Sequence, residues 1–144
     1  MNDDTVSWLG DVEQLRRMTQ RYARAVDARD IDAVAALFHP DASVDGARGS
    51  LPIHAYIEGM RNAPPLFESG MHVLGDPLID LDPGADTARM DTYAVVYQFR
   101  PAESAEPDLV LGIRYLDDMV RDDGQWLIHH RQALNLWARN GVPR

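Results

Sequence analysis

The sequence contains no cysteine. Disulfides and thiolate-ligated metal sites are thereby excluded, as is redox chemistry on sulfur, and the composition suits a reducing cytoplasm. Lysine is absent as well: the 14 basic residues are all arginine and lie scattered along the chain. Against 23 acidic residues they leave a net charge of −9. Neutralising phosphates needs concentrated positive charge, so no nucleic-acid partner is expected. No apolar run approaches the ~18 residues of a membrane-spanning helix. Met1-Asn2-Asp3-Asp4-Thr5 is acidic and lacks the basic-then-apolar pattern of a secretory signal. The expectation is a cytoplasmic protein with no membrane partner. Phosphate-binding loops, nucleophile elbows, internal repeats and low-complexity segments are missing too. At 144 residues the chain suits a single domain, 1–144, with a core of its own.

What is present divides at residue 70, where the apolar period changes from helical to alternating. Residues 11 to 27 read as an amphipathic helix starting near Ser7 to Asp11, with Leu15, Met18, Tyr22, Ala25 and Val26 on one stripe. A second helix is expected from an Asp30 cap to Phe38, stopping at His39-Pro40. A brief strand at Ala42 to Gly46 and a third helix over Ile53 to Met60 follow, with Pro52 suited to the helix start. Beyond the breaker segment Asn62-Ala63-Pro64-Pro65 come Met71 to Gly75 and Leu78 to Leu81. Three long antiparallel strands complete the chain: Ala88 to Phe99, Leu109 to Val120 and Gln125 to Trp137, the last two joined at Asp122-Asp123-Gly124. Helices first and a meander after predict an α+β fold, with helices packed on one face of a strongly bent sheet around a cavity.

The informative residues are polar ones among apolar neighbours. Asp27 lies at the edge of the first helix's stripe. Either it points inward and needs a cation, a histidine or several donors from elsewhere, or it merely caps the next helix. His72 sits in a strand between Met71 and Val73, where a hydrogen-bonded structural role is the plain alternative. Asp91, Tyr93, Val95 and Tyr97 share a strand face; if that face lines the cavity, the carboxylate and both phenols are inside it, and otherwise they are in water. Strict alternation puts His130 with Trp126 and Ile128 on one face and Arg131 with Leu127 and His129 on the other, barring a bulge. Arg131 could equally pair with surface acids. His39 and His54 receive no role. His72, His130, Asp27 and Asp91 follow no metal-ligand spacing such as HxxxH, so no metal is expected.

Four segments carry a resemblance: Tyr22-Ala23-Arg24-Ala25-Val26-Asp27-Ala28-Arg29-Asp30, Leu37-Phe38-His39-Pro40-Asp41-Ala42, Met71-His72-Val73-Leu74-Gly75, and Gly124-Gln125-Trp126-Leu127-Ile128-His129-His130-Arg131. In this order and spacing the chain resembles, over about residues 8 to 140, the nuclear-transport-factor-2-like superfamily. Within it the likeness is to the SnoaL-like group that includes scytalone dehydratase, bile acid 7α-dehydratase and hexachlorocyclohexane dehydrochlorinase. The resemblance implies a cone-shaped α+β barrel, three N-terminal helices on a strongly curved, mixed but mainly antiparallel sheet enclosing a pocket. It implies that Asp27 and His72 form a dyad in which the Asp orients the imidazole and the His removes a proton from carbon, giving elimination. Arg131 would hold the leaving group or the Asp. Tyr22 resembles a hydroxyl-bearing helix residue of the bile acid dehydratase and Asp91 its strand carboxylate; Tyr93 and His130 are further candidates for substrate contact. Two departures matter. Val26 replaces the tyrosine that precedes the dyad Asp in scytalone dehydratase, and no strand carboxylate corresponds to the base of ketosteroid isomerase. The implied function is a cofactor-independent lyase of dehydratase type, or an isomerase, acting on a hydrophobic polycyclic or carbonyl-bearing small molecule. A non-catalytic small-molecule-binding or assembly domain of the same fold is the alternative. The small subunit of a ring-hydroxylating dioxygenase is a third, which the short chain disfavours. Association as a homodimer or other small homo-oligomer through the exposed sheet face is expected.

Overall fold

The computed structural model describes residues 1–140; residues 141–144, which the single-domain reading also takes in, lie outside the described residues. The first element is a long helix, α1 (Asp3–Asp27). It begins earlier than the apolar period suggests because Asn2 caps it, its side chain accepting the Thr5 amide at 2.8 Å. Asp3 and Asp4 occupy the first turn, where the helix dipole favours negative charge. Asp11, Leu15, Met18, Thr19, Tyr22 and Ala25 form its buried face. Arg29, in the left-handed conformation at φ 54°, turns the chain into a short helix, α2 (Ile31–Ala35), capped by Asp30, whose carboxylate accepts the Ala33 amide at 3.1 Å.

α2 ends before Phe38, where the apolar spacing had carried it, because the sheet claims the residues that follow. Ile128 donates its amide to the Leu37 carbonyl at 2.9 Å, Phe38 lies in register with Ile128, and both side chains are buried. Burying two such side chains is worth more than another turn of a short helix. β1 (Phe38–Gly46) turns back into β2 (Gly49–Pro52), a strand where the sequence suggests only Pro52 at the start of the next helix. α3 (Ile53–Asn62) follows, then β3 (Ser69–Leu74), β4 (Leu78–Asp80), β5 (Thr87–Phe99), β6 (Leu109–Asp122) and β7 (Gln125–Asn140).

The strands make one curved, open sheet in the order β2-β1-β7-β6-β5-β3, with β4 also on β5. Every pairing is antiparallel except β1 with β7. α1 lies along β3 and α3 along β1, so one sheet face is covered. Along β5 the residues Ala88, Met90, Thr92, Ala94 and Val96 are buried on that inner face, and the alternate residues face outward. On β7 the alternation breaks. Met119 pairs with Ile128 but Asp118 pairs with His130, leaving His129 as an extra residue in the ladder. Trp126 and Ile128 face inward before this bulge, and Arg131 faces inward after it, buried. His130 consequently faces outward. Among the described residues no helix is long and apolar enough to cross a membrane.

Candidate functional site

The covered face of the sheet encloses a cavity of about 330 Å³, within the usual range for a small-molecule site. Its wall brings together Tyr22 and Val26 of α1, Tyr56 and Met60 of α3, His72 of β3, Val96 of β5, Ile113 and Tyr115 of β6, and Arg131 of β7. Outside it lies a wider opening of about 620 Å³, bordered by Asp27, Arg29, Arg61 and the 63–68 loop. The two spaces share Val26, Arg48, Met60, His72 and Gln98 on their walls. His72 therefore stands at the neck.

Asp27, the last residue of α1, meets β3 there. Its Oδ1 lies 2.7 Å from Nδ1 of His72, and its Oδ2 accepts the His72 backbone amide at 2.9 Å. The carboxylate thus fixes both the strand and the ring. With the contact at Nδ1, a neutral imidazole carries its proton on Nδ1 and presents a bare Nε2. Nε2 has no hydrogen-bond partner among the described residues. The His72 side chain is 11% exposed and that of Asp27 25%, so the pair is partly shielded while open to the neck.

Beneath the pair is a cluster that the sequence reading found only in part. Arg131 donates from Nε and Nη2 to the two carboxylate oxygens of Asp117 on β6, at 2.7 and 2.8 Å. Asp27 is not its partner. The guanidinium lies against the ring faces of Tyr22 and Tyr115, with centroids 4.3 and 4.4 Å away. Its Nη1 is buried with no hydrogen-bond partner among the described residues. Burial works against the charge, but the attraction and hydrogen bonds of Asp117 outweigh it and hold the Arg131 guanidinium above the ordinary arginine range. Tyr22 meets His72 edge-on at 6.1 Å and Tyr115 at 5.7 Å. Burial pushes the Tyr22 hydroxyl well above the ordinary tyrosine range, with Tyr115 adding to the effect and Arg131 opposing it. Tyr115 moves up for the same first reason, and Tyr56 moves up chiefly through its neighbour Tyr22 and then through burial. All three phenols hold their protons at neutral pH and can donate to an oxygen or halogen; none is a base.

Tyr56, Tyr115 and Asp117 were legible in principle. Ile53, Tyr56, Ile57 and Met60 follow helical spacing, and Ile113, Tyr115, Asp117 and Met119 alternate along one strand face. Three candidates lie elsewhere. The face bearing Asp91 and Tyr93 is the outer one, because Met90, Thr92, Ala94 and Val96 fill the inner. There Asp91 accepts Arg114 Nε at 2.8 Å, and Tyr93 is 61% exposed. His130, turned outward by the bulge, sits 2.8 Å from Asp45 and 3.6 Å from Asp118. None of the three lines this cavity; they lie on the outer face of the sheet, where Asp91 and His130 border a separate depression. Among the described residues no group of three or more His, Cys, Asp or Glu is placed to hold a metal ion.

The Asp91–Arg114 pair has a consequence for stability. The Arg114 hydrogen bond holds the Asp91 carboxyl below the usual carboxylate range, against a smaller effect of burial. A carboxyl whose folded pKa is depressed stabilises the fold above the ordinary value of about 3.9, and that contribution fades as pH falls through the lower folded value. Asp91→Asn is expected to flatten the acid limb of a thermal-stability profile below about pH 4. An unchanged limb would remove this pair from the acid response.

Three helices on an open, curved sheet with a pocket between them define a cone of the nuclear-transport-factor-2-like class. The chain belongs to the SnoaL-like domain family, whose model matches residues 8–132. It is similar in structure to a candidate scytalone dehydratase from Novosphingobium aromaticivorans DSM 12444, with a TM-score of 0.83 and 22% identity over 97% of this chain and 93% of that one. A type 2 hexachlorocyclohexane dehydrochlorinase matches with a TM-score of 0.84 at 13% identity, over 97% of this chain and 95% of the other. The type 3 hexachlorocyclohexane dehydrochlorinase of Novosphingobium barchaimii LL02 gives 0.81 at 14% identity, over 97% and 99%. At these identities the likeness is one of fold. Comparison with curated protein sequences returned no match.

Proposed function

We propose that this protein is a cofactor-independent lyase that eliminates water or halide from a hydrophobic, ring-containing or carbonyl-bearing small molecule. The observation that carries the reading is the 2.7 Å contact between Asp27 Oδ1 and His72 Nδ1 at the neck of the cavity. Nε2 of His72 takes a proton from a substrate carbon, and Asp27 stabilises the imidazolium that results. The electrons of the broken C–H bond become the new C=C bond, and the adjacent substituent leaves with its own pair. A halide departs as the anion, and a hydroxyl departs as water by taking a proton from a cavity phenol, which the imidazolium proton then replaces. The protonated hydroxyls of Tyr22 and Tyr56, backed by the charge of Arg131, lie on the same cavity wall and receive that group. Val26 and Met60 line the cavity beside His72 and limit water around the reacting carbon. The test is a panel of hydroxylated and halogenated ring compounds, with turnover compared between the native protein and His72→Gln.

A binding domain without catalysis has one observation in its favour: Asp27 also accepts the His72 backbone amide at 2.9 Å, as a clamp between α1 and β3 would. On that reading His72→Gln, which keeps the amide, leaves both ligand affinity and any turnover unchanged.

We further infer that copies of the chain pair through the outer sheet face. Met71, Val73, Tyr93 and Trp137 are 51, 47, 61 and 42% exposed there, an apolar surface of the kind that marks an interface. Light scattering is expected to give twice the monomer mass for the native protein and the monomer mass for Val73→Glu with Tyr93→Glu. A native monomer would contradict this.

A further inference from the structure

We propose that the substrate carries a carboxylate, which docks on Arg48 at the mouth of the cavity while the apolar body enters; the inference rests on the lyase reading for where the reacting carbon then lies. Arg48 is on the turn between β1 and β2, and it lines both the cavity and the opening outside it. Two other arginines border the opening, and both are engaged: Arg29 donates to the Phe67 carbonyl and Arg61 pairs with Asp32. Arg48 makes no hydrogen bond or ion pair among the described residues. Of the carboxylates on the same rim, Asp27 is held by His72, and Glu68 forms no ion pair with Arg48 among the described residues. A bare guanidinium at the entrance of a protein with net charge −9 is a selective feature.

Its position is built, not incidental. The guanidinium lies over the Tyr56 ring, 5.2 Å from the centroid, and rests directly against Gly59 of α3. A Cβ at position 59 would collide with Nη1 of Arg48. Glycine inside a helix is disfavoured relative to alanine, and nothing in the backbone of α3 calls for it, since Gly59 is not in the left-handed region. The missing side chain leaves room for the guanidinium to lie against the helix. Tyr56, beneath the guanidinium, lines the cavity together with Tyr22, which raises its pKa. One stack therefore connects the anion position at the rim to the phenols in the cavity, with His72 on the shared wall. A carboxylate at Arg48, in the planar two-oxygen geometry that guanidinium favours, tethers one end of the substrate and leaves its apolar body beside Nε2.

The test is calorimetric titration of the protein with 2-naphthylacetate and with its uncharged isostere 2-naphthylacetamide, at low ionic strength. The native protein is expected to bind the carboxylate about tenfold more tightly than the amide. Arg48→Gln should bring that ratio close to one with the amide affinity unchanged. Equal binding of acid and amide by the native protein, or a preference that survives Arg48→Gln, overturns the inference, and binding of the amide in either case leaves the apolar cavity reading intact. Failure of both probes to bind overturns the inference together with the cavity as a ring-binding site. A carboxylate preference that depends on Arg48 in a protein that turns over no substrate keeps the inference and ends the lyase reading.

Discussion

Replacing His72 by Gln is expected to lower turnover by about 10²- to 10⁴-fold, the usual contribution of a positioned general base, with little change in melting temperature. The two parts of this expectation come from different atoms. Stability at this point depends on the His72 backbone amide, which reaches Asp27 Oδ2 at 2.9 Å and survives the substitution. Turnover depends on the bare Nε2 facing the neck, which an amide side chain cannot replace because it has no basic nitrogen. Asp27→Asn separates the roles further. It removes the negative charge beside Nδ1 and allows the wrong tautomer, so the rate should fall while substrate affinity is largely retained. A comparable loss of affinity in both variants would instead assign the pair to binding. Steady-state kinetics, with kcat and KM resolved, read out all of these outcomes.

Asp117→Asn is expected to cost about 3–5 kcal/mol of stability, the effect of stranding a buried charge. Arg131 and Asp117 have side chains only 4% and 2% exposed, so water cannot take the place of the missing carboxylate. The guanidinium would remain between the rings of Tyr22 and Tyr115, with one nitrogen already unpartnered and two more now poorly matched. For a chain of this size the change corresponds to roughly 10–15 °C in melting temperature. Replacing both residues by apolar ones of similar volume should recover much of the loss, since an isosteric apolar pair carries no desolvation penalty. Thermal unfolding of the single and double variants decides the point. Equal melting temperatures for native protein and Asp117→Asn would mean that the guanidinium finds water or another acceptor on losing its partner.

The two large effects fall on residues that differed in how readily the sequence gave them away. Asp27 and His72 stood out because each is a polar group interrupting an apolar pattern, one at the end of a helical stripe and one inside a strand. The general architecture was legible for the same reason: helical spacing before residue 70 and alternation after it are both imposed by burial on one face. The alternation on β5 was equally visible but could not say which face is inner. Tyr93, Val95 and Tyr97 are as apolar as Ala94 and Val96, and only the packing of α1 and α3 decides between the two sets. The alternation alone therefore leaves both sides open for Asp91, which lies on the outer one. The bulge at His129 is a different matter. A two-residue period carries register only until an extra residue enters the ladder, and no side chain in His129-His130-Arg131 requires one. The inward turn of Arg131 becomes visible only from β6, where Asp117 occupies the inner face and needs a cation. β2 was missed because four residues with a glycine and a proline in them look like a turn.

The decisive experiment exposes the native protein and His72→Gln to hydroxylated and halogenated ring compounds, deuterated at the carbon beside the departing group. Formation of the unsaturated product is then followed by absorbance and NMR. The account predicts that the native protein releases unsaturated product with loss of the deuterium and slower turnover of the deuterated compound, and that His72→Gln forms product at least 100-fold more slowly, the low end for a lost general base. Compounds that bind in the cavity but are recovered unchanged, or elimination at equal rates in the two proteins, would contradict it.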